Sequence, residues 1–396
     1  MFTLDTLPKK KETDHVTRMS HVILIPDSFK GTFSSEEICR MMAETIERHA
    51  PHALISKIPV ADGGEGSVDA FLTAVGGEKI EQVVQGPFGR DIDSFFGILP
   101  DQTGVVEMAA AAGLPLVGDR RDVANTTTYG VGQLMKAALD KGVKRLIVGL
   151  GGSSTNDGGC GAAAAMGVVF KDKDGKSFVP VGGTLKDIVS IDISGLDPRI
   201  KDIDVVTMCD IDNPLTGEIG AAAVFGPQKG ADPALVKSLD AGLVHMAEMV
   251  RKDLDIDMET MPGAGAAGGM GGGMVAFFGS KLQMGIDVVL DTVDFDTLVQ
   301  TADFVFTGEG KIDTQSLRGK VVIGVARRAK PHQVPVFAIV GDIGDGIEPA
   351  YDEGVSGIFS INRVAVPFAE AKKRADIDLP LTVDNLVRLL VRLGHL

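Results

Sequence analysis

Tryptophan is absent from this chain and tyrosine occurs only twice, so a wide aromatic platform for a planar ring is not evident and aliphatic walls are the expected alternative. Cysteine is equally scarce. Cys39, Cys160 and Cys209 are far apart and form no C-x-x-C pair, which excludes a disulfide framework and a zinc cage and points to a reducing cytoplasm. Basic residues number 39 against 54 acidic ones, for a net charge of −15. That balance removes the basic face nucleic acid needs. An anionic small substrate would need local cations, a metal or helix N-termini.

Long apolar runs are missing too. The opening MFTLDTLPKKKETDHVTR has no signal-peptide h-region, so nothing in it marks export. Residues 1–18 are expected to be a flexible extension, with Met19 a candidate start. The uncharged stretch 262–280 is too rich in glycine for a spanning helix of about 20 apolar residues, and a membrane is not expected. Familiar catalytic signatures fail as well. Gly319-Lys320 is followed by Val321, not Ser or Thr, so no Walker A loop exists, and neither G-x-S-x-G nor H-E-x-x-H occurs.

Glycine is plentiful, at 50 of 396 residues, which implies many tight turns or close backbone approaches. These glycines follow apolar runs. HVILI from His21 leads into PDSFKG, the run 54–60 into ADGGEG, and LIVGL into GGSSTNDGG. CDIDNP, TGEGKID and VGDIG follow similar runs later. Short buried strands alternating with helical stripes predict an α/β protein with mostly parallel sheets. Ser34 and Glu37 form a capping box with Phe33 and Ile38 as its staple, so a helix starts there. Val68, Phe71, Leu72 and Val75 stripe a second helix that stops at Gly76. Asn125 to Thr128 are expected to cap a third. The turn cluster Gly86 to Gly89 and the polar stretch 291–296 suggest an outer domain of 19–85 plus 291–396 and an inserted domain of 86–290.

In open α/β sheets ligands bind at the carboxyl ends of strands, where these loops lie. In the loop 151–159, Gly151 and Gly152 let N–H groups face a phosphate, and Ser153, Ser154, Thr155 and Asn156 can donate to it. Asp157 can hold a cation or take a proton; a simple turn with an Asn/Asp cap is the alternative, but a cap needs one such residue and this loop has five in succession. Asp62 and Glu65, and Asp210, Asp212 and Asn213, make dense acidic loops that a divalent ion or a substrate hydroxyl would relieve. Lys30 and Lys229, each beside a glycine, suit point contacts to phosphate or carboxylate, and Glu309 and Asp313 follow another apolar strand. Cys209 reads as a small buried hydrophobe. The run 263–268 matches G-x-G-x-x-G, yet KDLDIDMETMP before it is no strand, which argues against an NAD-dependent oxidoreductase. A non-catalytic sugar-acid sensor is disfavoured by the acidic loops.

Taken together, PDSFKGTFSS, PVADGGEGS, EMAAAAGL, NTTTYGVGQL, GLGGSSTNDGGCG, CDIDNPLTG, GAAAVFGPQKGA, GAGAAGGMGGG and FTGEGKIDTQS resemble the bacterial glycerate kinase family. The resemblance runs from Pro26 to Ser316. It implies two different α/β domains, one flavodoxin-like or Rossmann-like, with the active site in the cleft between them. It also implies transfer of the γ-phosphoryl of MgATP to D-glycerate, usually giving 2-phosphoglycerate, with 3-phosphoglycerate the alternative. Under that reading Gly151, Gly152, Ser153, Ser154, Thr155, Asn156, Lys229, Gly268 and Gly269 hold the nucleotide. Asp27, Ser28, Lys30, Asp62, Glu65 and Asn213 face glycerate, and Asp62, Asp212 and Glu309 contact Mg²⁺. Asp210 deprotonates the hydroxyl, with Asp157 or Asp313 as alternatives and Lys30 as a charge clamp. A homo-oligomer stays open.

Overall fold

The computed structural model describes residues 19–60 and 63–396. The proposed N-terminal extension and Asp62 lie outside the described residues. The strands in chain order are β1 (His21–Pro26), β2 (Leu54–Lys57), β3 (Glu78–Gln85), β4 (Asp91–Ile98), β5 (Thr103–Glu107), β6 (Arg145–Gly149), β7 (Val169–Lys171), β8 (Ser177–Phe178), β9 (Ser190–Asp192), β10 (Asp204–Met208), β11 (Lys281–Gln283), β12 (Phe304–Ile312), β13 (Val336–Ile343) and β14 (Val355–Ser360). They build two main sheets. One is five-stranded, in the order β14-β13-β12-β1-β2, and every pair in it is parallel. The other is six-stranded, β11-β10-β6-β5-β4-β3, parallel except where β3, β4 and β5 form an antiparallel meander. A small antiparallel sheet, β8-β7-β9, lies apart.

Read by chain order, the five-stranded sheet runs 2-1-3-4-5, the flavodoxin-like winding, so its topological switch point lies between β1 and β12. The apolar strand runs have a simple cause. Val22 and Leu24 face a core with the helices Ser35–Glu47 and Phe368–Leu393, whereas Ile23 and Ile25 face the layer between the two sheets. That middle layer also takes Val105, Ile147, Val206 and Met208 from the second sheet, and Leu146, Val148 and Val205 face a third core beyond it. With both faces buried, alternation gives way to continuous hydrophobicity.

The expected helix starts appear, with one difference. Ser34 Oγ accepts from the Glu37 N–H and Glu37 returns the bond to the Ser34 N–H, completing the capping box. The second helix, Ser67–Val75, ends at Gly76 with φ 79°. The third, Tyr129–Asp140, is not capped by the side chain of Thr128. That hydroxyl instead donates to Asp157 at 2.9 Å, a partner 29 residues away.

The proposed 85/86 boundary falls between β3 and β4, which pair from Glu78↔Ile98 to Gln85↔Asp91. The chain therefore changes sheet between β2 and β3, and it re-enters the five-stranded sheet at β12. Among the described residues no helix is long and apolar enough to cross a membrane.

Candidate active site

The carboxyl ends of both parallel sheets open onto one cleft of about 840 Å³. Asp27, Ser28 and Lys30 reach it from the end of β1, Gly151, Gly152 and Ser153 from beyond β6, Asp210 from beyond β10, and Glu309 from β12. Four segments remote in sequence thus share a wall with Lys229, which follows the helix Ala221–Phe225.

Glycine makes the meeting of loops possible. A Cβ on Gly149 would lie 2.4 Å from the Gly63 carbonyl oxygen, and one on Gly151 would lie 2.5 Å from the Gly64 Cα. The Gly151 N–H donates to the Gly63 carbonyl at 2.9 Å. The ADGGEG and GGSSTNDGG loops are therefore held backbone to backbone. Glu107, at the end of β5, steadies the first of them: its buried carboxylate accepts from the Val68 N–H at 3.1 Å, at the start of the helix Ser67–Val75.

Lys229 is 2% exposed, and its Nζ donates to Ser153 Oγ and to the Thr155 carbonyl, each at 2.7 Å. Burial pushes its pKa down to about 7, opposed by the charge of Asp157. Glu309 is 5% exposed and its Oε1 has no hydrogen-bond partner. Burial pushes its pKa up to about 7; a Ser316 hydroxyl bond and Lys320 oppose the rise, while Asp27 and Asp313 add to it. Asp210 stands at the start of the helix Gly285–Thr292, where its Oδ1 accepts from the Gly285 N–H at 2.6 Å. The walls gather Lys30, Lys229, Lys311, Lys320 and Lys372 with Asp27, Asp210, Glu309 and Asp342. For a chain of net charge −15, that local balance admits an anion.

Other expected site residues lie elsewhere. Asp157 is wholly buried, and its carboxylate accepts from the Thr128 N–H and hydroxyl and from the Gly159 and Gly161 N–H groups at 2.7 to 3.3 Å. Those bonds occupy both oxygens and tie the loop to the helix Tyr129–Asp140, so Asp157 does not line the cleft. Gly268 and Gly269 are buried beneath the loop, where a Cβ on Gly268 would lie 2.0 Å from the Thr155 carbonyl oxygen. With that backbone against it and no strand ahead of it, the G-x-G-x-x-G run leaves no room for a dinucleotide. Asp212 is exposed and paired with Arg318 at 3.2 Å, and the Asn213 amide donates to the Ile219 carbonyl. Ser154 bonds the Ala112 carbonyl, Thr155 and Asn156 are buried, Glu65 is exposed, and Asp313 caps the turn at Gln315. None of these lines the cleft.

Some lining residues carry little or no sequence signal. Lys372 and Phe368 come from the last helix, and Leu114 and Phe225 supply apolar wall on the opposite side. Lys320 was visible only as a failed Walker A lysine. Cys209 is buried, as expected of a small hydrophobe.

A family model described as the glycerate kinase family matches residues 22–391. A glycerate kinase of Bacillus subtilis is 47% identical, covering 89% of this chain and 93% of that protein. A glycerate 2-kinase of Escherichia coli is 42% identical, covering 86% and 90%. A crystal structure described as a glycerate kinase 2 from Salmonella typhimurium LT2 superposes with a TM-score of 0.84 at 39% identity, covering 96% of this chain and all of that one.

Proposed function

We propose that this chain, which belongs to the glycerate kinase family, transfers the γ-phosphoryl group of ATP to the C2 hydroxyl of D-glycerate, giving ADP and 2-phospho-D-glycerate in a reducing cytoplasm. The observation that carries this reading is the single cleft that joins a glycine and hydroxyl loop with a buried lysine to a lysine and carboxylate wall. Its volume of about 840 Å³ falls in the range of about 300–1,000 Å³ typical of small-molecule sites.

On this reading the N–H groups of Gly151 and Gly152, the Ser153 hydroxyl and Lys229 Nζ cradle the phosphates. Leu114 and Phe225 flank that loop in the cleft and supply an apolar wall for the base. Lys30 neutralises the glycerate carboxylate on the other wall, with Asp27 and Ser28 beside it. Asp210 accepts the hydroxyl proton as the C2 oxygen attacks the γ-phosphorus and the bond to the β-phosphate oxygen breaks. Its Oδ1 bond to the Gly285 N–H fixes the carboxylate for that task.

Among the described residues no three His, Cys, Asp or Glu side chains converge as a metal cage. Asp27, Asp210, Glu309 and Asp342 reach the cleft as separate carboxylates. This donor set fits a Mg²⁺ held chiefly by phosphate and water, with one or two carboxylates at most. Bound there, the ion would neutralise developing phosphate charge. Asp212, spent on Arg318 at the surface, does not fit as a ligand.

Phosphorus NMR of the products from ATP and D-glycerate tests the reading. A 2-phosphoglycerate resonance is expected, and ATP left unconsumed overturns it.

A further inference from the structure

Among the described residues, Glu309 is the one cleft carboxylate with a buried oxygen that has no hydrogen-bond partner. Register explains its place. β1 and β12 pair as Pro26↔Gly308, so Glu309 emerges beside Asp27 at the switch point, where open sheets of this winding bind ligands. An unpartnered buried acceptor is destabilising, and such a group in a cleft wall calls for a donor from outside the chain.

The donor's chemistry is constrained by the neighbours. Asp27 and Asp313 set negative charge against Glu309, and Ser316 and Lys320 oppose it. A carboxylate or phosphate of a substrate has no proton to offer at neutral pH, and the negative charge of Asp27 and Asp313 beside Glu309 would repel it. A hydroxyl is neutral and donates. The phosphate loop and Lys229 belong to the six-stranded side of the cleft, whereas Glu309 stands on the five-stranded side with Lys30. The small acid, rather than the nucleotide, therefore meets it.

We propose that Glu309 selects the acceptor: its Oε1 accepts a hydrogen bond from the glycerate hydroxyl that does not react, so that a mono-hydroxy acid is rejected. This rests on the kinase reading above, with Asp210 serving the reacting C2 hydroxyl and Glu309 the one at C3. Sites built to bind a hydroxyl reject analogues lacking it by roughly 10⁴-fold or more.

The test compares D-glycerate with D-lactate, which keeps the C2 hydroxyl and lacks the one at C3. The wild-type chain, Glu309→Gln and Glu309→Ala are assayed with ATP for kcat/KM and by calorimetry for acid binding, with ADP affinity reporting folding. Wild type is expected to favour D-glycerate by roughly 10⁴-fold. Glu309→Ala should lower kcat/KM for D-glycerate by roughly 100-fold and leave D-lactate within about threefold, cutting the preference from roughly 10⁴-fold to roughly 100-fold. Glu309→Gln, which keeps an acceptor oxygen, should fall between. A parallel loss for both acids overturns the proposal, as does a loss confined to the preference for ATP over 2′-deoxy-ATP, or a shift in Mg²⁺ requirement with acid selectivity intact. Should wild type turn over neither acid, the kinase reading fails by itself, and the calorimetric preference for D-glycerate still decides Glu309.

Discussion

Lys229 Nζ donates to Ser153 Oγ at 2.7 Å across 76 residues of chain, and to the Thr155 carbonyl at the same distance. One buried ammonium thus stitches the 227–229 turn to the loop after β6, and a phosphate entering the cleft would meet both together.

Nucleotide binding should therefore take up a proton above pH 7. Burial holds the lysine pKa at about 7, so at pH 8 much of it is neutral, and a bound polyanion raises that pKa. Calorimetry of ADP binding in buffers of different ionisation enthalpy should show net uptake, absent in Lys229→Met. The same variant should lose roughly 100-fold in kcat/KM for ATP, since charge-assisted contacts to developing phosphate charge are removed.

Asp157→Asn separates scaffold from chemistry. The carboxylate accepts four bonds in full burial, and an amide cannot accept them all. Urea denaturation should show a loss of about 3 kcal/mol. Near wild-type stability with a large fall in kcat would instead place Asp157 in the chemistry.

Glu309 should make the ligand-free protein less stable as pH rises. Its pKa moves from 4.5 in the unfolded chain to about 7 in the fold, so between those values the folded state binds more protons and stability falls. Below 4.5 the term vanishes; above 7 it is complete, on the order of 3 kcal/mol. Glu309→Gln should remove this slope, and urea midpoints from pH 4 to 8 should diverge from wild type across that window.

Gly149→Ala should cripple the protein and Gly152→Ala should not. A Cβ at Gly149 meets the Gly63 backbone at 2.4 Å, whereas at Gly152 the nearest atom is the Ala109 Cβ at 3.5 Å, leaving only the strain of φ 75°. Losses of about 3 kcal/mol against about 1 kcal/mol are expected from thermal unfolding. Activity at saturating substrate should fall at least tenfold only in the first.

Much of the candidate site was legible because its signals are local. Asp27, Lys30, the glycines of 151–152, Ser153 and Asp210 sit in loops that follow apolar strands, Glu309 ends the apolar run of β12, Lys229 stands beside a glycine after a short helix, and all line the cleft. A short polar run, by contrast, does not show in sequence which of its members face the cleft. Residues 151–157 form one string, yet the cleft takes only the first three; Ser154, the Thr155 carbonyl and Asp157 bond inward to Ala112, Lys229 and Thr128, and Asn156 is buried with them. Thr128 likewise looked like a cap because caps are local, but a distant carboxylate claimed its hydroxyl.

The sequence by itself determined the elements: the capping box at Ser34 and Glu37, the helix stop at Gly76, strands apolar enough for burial on both sides, and glycines where loops must touch. Those depend on interactions within a few residues or on composition. Only the tertiary structure decided that β3 joins β4 and not β2, that Asp157 is spent inside, and that Glu309 is left with an unanswered oxygen beside Asp27. Strand order and burial are set by contacts between distant segments, 282 residues apart for β1 and β12 at Thr307 and Ile25, and no window of neighbouring residues carries that information.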